Sequence, residues 1–242
     1  MAGRIEVVAH RGLNRRAPEN TLAAAEACVA LGLDYVEVDV RTSRDGVLHI
    51  LHDPTVDRTT DGHGALAGLT AAELARLDAG AWFAPAYRGQ RIPRLDDLLR
   101  WARGRIRVYL DVKQAHPAHL LDLLYATGMA GDCFLYCEQP DLAETLRALD
   151  GDITLMATVR DESDLIAACE RLGAQIVELD ARHMTPELVA ACRARGRRVM
   201  AYTQADDAAL FRRIIACGVE LVNLDHPETW LQVAPSPGGA GR

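Results

Sequence analysis

Eight strand-like runs, separated over most of the chain by Ala-, Leu- and Arg-rich helical stretches, predict an α/β fold whose parallel sheet closes into a TIM (β/α)8 barrel. Two further observations point the same way. Polar residues gather where strands end, and the C-terminal strand edge is where such barrels carry their sites. One long interruption follows the second strand, as a small insertion built onto that edge would.

Residues 5–9, Ile-Glu-Val-Val-Ala, form the first strand and run directly into His10-Arg11-Gly12. Asn20 then stands before Thr21 and an Ala-rich helix, the position of an N-cap. The second strand spans 34–40. From Leu95 onward strands are expected near 106–112, 132–137, 153–157, 175–179, 197–202 and 219–224, with helices over 117–127, 139–149, 162–172, 185–195 and 206–216. Pro140 and Pro186 sit at helix starts, and Gly173, Gly196 and Gly218 at helix stops.

The insertion covers about 41–94. It contains a hairpin signal at Arg44-Asp45-Gly46, a strand-like Val47–Leu51 leading into His52-Asp53, a Gly-rich stretch through Asp61-Gly62-His63-Gly64, and a helical 70–77. Trp82, Phe83 and Tyr87 in it read equally as a small core or as a ligand wall. No Pro/Gly/Ser linker divides the chain, so 1–234 is expected to be one domain and 235–242 a flexible tail.

The 242 residues carry a formal net charge of −7 and are 49% hydrophobic, which fits a sizeable core and argues against nucleic acid as a partner. The densest basic run, Arg193 to Arg198, falls at a helix C-terminus, where cations suit the helix dipole. The N-terminus has no apolar signal region, and no stretch is long enough for stable membrane insertion. The six cysteines lie mostly among apolar residues and read as reduced thiols of a cytoplasmic protein.

The richest segment is Tyr35-Val36-Glu37-Val38-Asp39-Val40. Strand side chains alternate, so Glu37 and Asp39 share one face while three valines cover the other. Two like charges on one buried face require positive charge between them, and oxygen-only ligands suit a hard cation. Arg107 to Lys113 repeats the theme, with Asp111 and Lys113 projecting together. His10 and His52 stand in the company of these acidic strands. His49, inside its strand, has a structural place, and the five remaining histidines have no such company.

Val8-Ala9-His10-Arg11-Gly12, Pro18-Glu19-Asn20-Thr21, Glu37-Val38-Asp39, Asp45-Gly46 and His52-Asp53, in this order and spacing, resemble the glycerophosphodiester phosphodiesterase family. Ile92-Pro93-Arg94-Leu95 and Asp225-His226-Pro227 extend the resemblance over nearly the whole chain. It implies a TIM barrel with a small insertion after the second strand and one divalent cation, magnesium or calcium, with manganese also compatible. It also implies hydrolysis of a small-molecule glycerophosphodiester to glycerol 3-phosphate and an alcohol.

Such cleavage needs a base, an acid and positive charge on the phosphoryl oxygens. His10 and His52 can supply the acid and the base, and Glu37, Asp39 and Asp111 can hold the cation. Arg11 and Lys113 complete an anion clamp. The resemblance gives Glu19 and Asn20 a supporting role beside the site. Two positions depart from its pattern: Asp111 stands where Glu is usual, and Tyr202-Thr203 where Trp-Thr is usual, which changes the wall facing the substrate. The alternatives are a related phosphodiesterase acting on lysophospholipids or another sugar phosphodiester, and a non-catalytic barrel that binds phosphorylated ligands. Oligomeric state stays open.

Overall fold

The computed structural model describes residues 4–234, so the expected tail at 235–242 lies outside the described residues. The strands are β1 (Glu6–Ala9), β2 (Tyr35–Thr42), β3 (Leu48–Ile50), β4 (Arg107–Val112), β5 (Cys133–Cys137), β6 (Met156–Thr158), β7 (Ile176–Asp180), β8 (Arg198–Thr203) and β9 (Leu221–Leu224). All but β3 are parallel, in the order β5-β4-β2-β1-β9-β8-β7-β6. β5 and β6 meet through one parallel bridge, Leu135–Leu155, so the eight-stranded ring is nearly closed. This is the TIM barrel that the alternation implies.

The helices are α1 (Leu22–Ala30), α2 (Ala71–Leu74), α3 (Leu95–Ala102), α4 (Pro117–Thr127), α5 (Pro140–Leu149), α6 (Glu162–Arg171), α7 (Pro186–Ala194), α8 (Ala208–Cys217) and α9 (Pro227–Val233). Proline opens α4, α5, α7 and α9, where its missing N–H costs no helical bond. The expected helix at 70–77 shrinks to the single turn of α2, started by a Thr70–Glu73 capping box. The strand expected at 153–157 is shorter and shifted, since only Met156–Thr158 pairs with β7. α9 had no sequence expectation; its buried Trp230 meets Phe211 of α8 edge-on at 5.5 Å. Among the described residues no helix is long and apolar enough to cross a membrane.

Two apolar layers follow from strand alternation. Val36, Val38 and Val40 of β2 point outward and join the large core between sheet and helices. Inside the ring, Val8, Tyr35, Tyr109, Phe134, Met156, Ile176, Met200 and Leu221 form a plug with one residue from each of the eight parallel strands. The residue two positions further along each strand is His10, Glu37, Asp111, Tyr136, Thr158, Glu178, Tyr202 or Asn223, and all eight line one cavity. The period of two therefore converts an apolar floor into a polar ring directly above it.

The insertion returns on β2 through β3, which pairs antiparallel with Val40–Thr42. It has a small core of its own: Leu51, Val56, Leu66, Leu74, Ala79 and Ile92.

Candidate active site

β1 ends at Ala9, and the chain then turns sharply. Arg11 has φ 56° and Gly12 has φ 76°, both left-handed. A Cβ on Gly12 would lie 2.6 Å from Ala24 Cβ, so only glycine lets this turn press against α1. The turn brings the Arg11 backbone N–H onto Glu37 Oε2 and leaves His10 buried over the ring. Thr21, not Asn20, caps α1: its Oγ1 accepts from Ala24 N–H. Asn20 stands one residue too early for that role and adopts φ 58°. Its side chain donates to Asp39 Oδ2 at 2.7 Å and accepts from the Asp39 N–H at 3.1 Å.

Glu37, Asp39 and Asp111 each place one carboxylate oxygen within 4.8 Å of the other two. Glu37 and Asp39 are 1% exposed. Burial, then Asp39 and Asp111, push the Glu37 carboxyl well above its ordinary range, and burial with Asp39 also raises Asp111. The nearest cations offset only part of this repulsion. Lys113 Nζ donates to Asp111 Oδ2 at 2.7 Å and lies 3.4 Å from Asp39, and Arg11 Nε stands 3.6 Å from Asp39. Asp111 Oδ1 is enclosed with no hydrogen-bond partner. An all-oxygen donor set with an unmatched buried oxygen fits a hard divalent cation, and the shorter Asp111 still reaches the cluster.

His10 and His52 both line the cavity, and each has Nδ1 on a carboxylate. His10 Nδ1 lies 2.7 Å from Asp225 Oδ1, and His52 Nδ1 lies 2.7 Å from Asp53 Oδ1. A carboxylate only accepts, so each Nδ1 carries a proton and each Nε2 is left to exchange one with a bound substrate. Asp225 also accepts from Asn14 at 2.8 Å and Arg15 at 2.9 Å; burial pushes its carboxyl up, but His10 first and then Asn14 and Arg15 outweigh this and hold it below the usual carboxylate range. Arg58 from the insertion donates to Asp53 at 2.7 Å and to Glu19 at 2.8 and 2.9 Å. Glu19 in turn accepts from Arg11 at 3.0 Å.

The cavity of about 250 Å³ thus collects His10, Arg11, Glu37, Asp39, His52, Asp111, Lys113 and Tyr202 from the expected set. Glu19 and Asn20 stand behind it, bonded to Arg11 and Asp39. The ring of Tyr202 meets His10 edge-on at 5.5 Å. The other six histidines lie outside the cavity, as do Trp82, Phe83 and Tyr87, where Phe83 meets the other two rings edge to face while the Tyr87 hydroxyl donates to Arg16 O. Sequence reasoning missed Tyr109, Tyr136, Thr158, Glu178 and Asn223 in the lining. For Glu178 a signal existed, because Ile176-Val177-Glu178-Leu179-Asp180 repeats the alternation of β2.

Fold and cavity together define a TIM barrel of the phosphodiesterase class. Residues 10–229 match the model of the glycerophosphoryl diester phosphodiesterase family. The glycerophosphodiester phosphodiesterase of Caldanaerobacter subterraneus is 27% identical, covering 96% of this chain and 98% of that one. The Bacillus subtilis enzyme of the same name is 35% identical, but over only 46% of this chain and 40% of its own. Among solved structures, a glycerophosphodiester phosphodiesterase from Agrobacterium tumefaciens superposes with a TM-score of 0.90 at 36% identity, covering 95% of this chain and all of that one. A phosphodiesterase of Oleispira antarctica, in complex with the product sn-glycerol-3-phosphate, superposes with a TM-score of 0.87 at 27% identity over 94% of this chain and 96% of its own. The chain belongs to the glycerophosphoryl diester phosphodiesterase family.

Proposed function

We propose that residues 4–234 form one catalytic unit that hydrolyses glycerophosphodiesters to glycerol 3-phosphate and an alcohol, with His10 and His52 as the acid–base pair. The observation that carries this reading is the pairing of both Nδ1 atoms with carboxylates, which leaves two Nε2 atoms on one cavity that also holds three clustered acids and two cations. The product bound to the Oleispira protein supports the substrate class.

Glu37, Asp39 and Asp111 would hold one divalent cation, magnesium, calcium or manganese. Once bound, it supplies the positive charge that polarises a phosphoryl oxygen. Arg11 and Lys113 hold the other non-bridging oxygen, Arg11 as a planar fork steadied by Glu19 and Lys113 as a point charge. One histidine takes the proton of the attacking hydroxyl, from water or from the glycerol 2-hydroxyl, and the other gives a proton to the departing alkoxide. Asp225 and Asp53 stabilise the imidazolium that forms at each site. Asn20 fixes Asp39, and Tyr202 orients His10 along its edge. Six free cysteines support a cytoplasmic setting.

The test is release of glycerol 3-phosphate from glycerophosphocholine and glycerophosphoethanolamine, in EDTA and then with each added cation. Metal-dependent release is expected. Absence of release with every cation would move the reading to another diester or to a barrel that only binds.

A further inference from the structure

Besides Asp111 Oδ1, two oxygens in the cavity have no hydrogen-bond partner. Glu178 Oε2 and Asn223 Oδ1 are both shielded from solvent and unpartnered, although the two side chains are bonded to each other through the Asn223 amide. Asn223 is 3% exposed. β7 lies four places from β2 in either direction around the ring, so Glu178 faces the carboxylate cluster from the opposite wall. It stands one step above Ile176 of the apolar plug, in the same polar ring as Glu37 and Asp111. A buried polar atom left without a partner is costly, and both oxygens call for a ligand that can hydrogen-bond.

The geometry points to a hydroxyl-binding subsite in which Glu178 and Asn223 grip the glycerol moiety of the substrate. This deepens the phosphodiesterase reading and rests on it. With the phosphoryl group held at the carboxylate cluster, the opposite wall is left to one of its two substituents, and a fixed hydroxyl-binding pair suits glycerol, the part common to all glycerophosphodiesters. Burial pushes the Glu178 carboxyl up to about 8, so at neutral pH it retains a proton. A protonated carboxyl gives one hydrogen bond, and Asn223 Oδ1 takes one; a hydroxyl does both. A quaternary ammonium group neither gives nor takes a hydrogen bond and would leave both oxygens unmet.

The experiment is steady-state kinetics of wild type, Glu178→Leu and Glu178→Gln on glycerophosphocholine and glycerophosphoethanolamine, with inhibition by glycerol 3-phosphate. Glu178→Leu is expected to raise KM by roughly tenfold on both substrates, and to weaken inhibition by glycerol 3-phosphate by the same factor. Glu178→Gln, which keeps donor and acceptor, should stay within about threefold. A loss that differs between the two alcohols while inhibition is retained would assign the pair to the leaving group and overturn the subsite. Unchanged kinetics in every variant would overturn it as well. Wild-type protein that releases no glycerol 3-phosphate would instead sink the reading beneath it. Should Glu178→Leu fail to fold, Asn223→Ser carries the same comparison.

Discussion

His10 and His52 face one cavity with the same local wiring, yet different parts of the molecule hold them. His10 follows a barrel strand, its side chain is 11% exposed, and its carboxylate partner, 6% exposed, comes from the end of β9. His52 follows the antiparallel β3, its side chain is 33% exposed, and its partner is the neighbouring Asp53, steadied by Arg58. Burial and the closed ring fix the first. Charge pairing near solvent fixes the second, and such pairing is screened. Identical chemistry can therefore be held stiffly on one side and softly on the other.

The sharpest way to break this comparison is to remove each imidazole. His10→Ala and His52→Ala are each expected to lower kcat by roughly 10²–10⁴-fold. Calorimetric titration with magnesium or calcium should show binding retained, because neither ring belongs to the acid cluster. Near-normal turnover in either variant would remove that histidine from the chemistry.

Replacing the orienting acids comes next. Asp225→Asn keeps the shape but places an amide where a carboxylate must accept from Nδ1, so turnover should fall about 10²-fold. Asp53→Asn makes the same exchange on the softer side and should cost nearer tenfold, since water can reach His52. Equal losses would show that the difference in burial does not matter to function.

The barrel side was more legible from sequence than the insertion side, and the reason is the range of the interactions. Alternation within one strand places Glu37 with Asp39 and sends three valines the other way, with no tertiary knowledge needed. The same rule applied to Ile176-Val177-Glu178 would have exposed Glu178. Asn223 offered no comparable sign, because its meaning depends on ring closure that brings β9 and β7 around one cavity. Asp225 and Asp53 were visible as parts of motifs, but which histidine each would orient depends on contacts 215 residues apart in one case and 1 in the other. Arg58 was invisible, since nothing near it reveals a partner 39 residues away. The N-cap expectation at Asn20 missed by one residue because a left-handed turn precedes α1.

Backbone changes sharpen the contrast at smaller scale. Gly12 and Gly64 both have positive φ, on the barrel side and in the insertion respectively. A methyl group at Gly64 meets open space, so Gly64→Ala should cost only the backbone strain, about 1 kcal/mol. At Gly12 the same methyl collides with Ala24, so Gly12→Ala should cost about 2–4 kcal/mol and displace His10. Thermal melts with parallel activity assays check both, and equal melting shifts would contradict the stiff-side assignment.

The smallest effect expected is the most diagnostic of the soft side. The Arg58 side chain is 43% exposed and reaches both Asp53 and Glu19, so it ties the insertion to the barrel side through Glu19 and steadies Asp53 behind His52. Its hydrogen bonds hold Asp53 well below the usual carboxylate range, outweighing partial burial, with His52 adding to the effect. A carboxyl with a depressed folded pKa keeps its stabilising pairing above the unfolded value, near 3.9, and loses it only as pH falls through the folded one. Arg58→Ala should therefore lower kcat only a few-fold at neutral pH, where Asp53 remains ionised. On acidification, however, Asp53 would take up its proton earlier and His52 would lose its acceptor sooner. The expected signature is an acid limb of the kcat profile that moves to higher pH in Arg58→Ala, with Arg58→Lys in between because a point charge replaces the fork. Arg15→Ala supplies the matched control on the His10 side: Asp225 keeps its hydrogen bonds with His10 and Asn14, so its acid limb should move less. A larger shift in Arg15→Ala than in Arg58→Ala would reverse the assignment of stiff and soft sides.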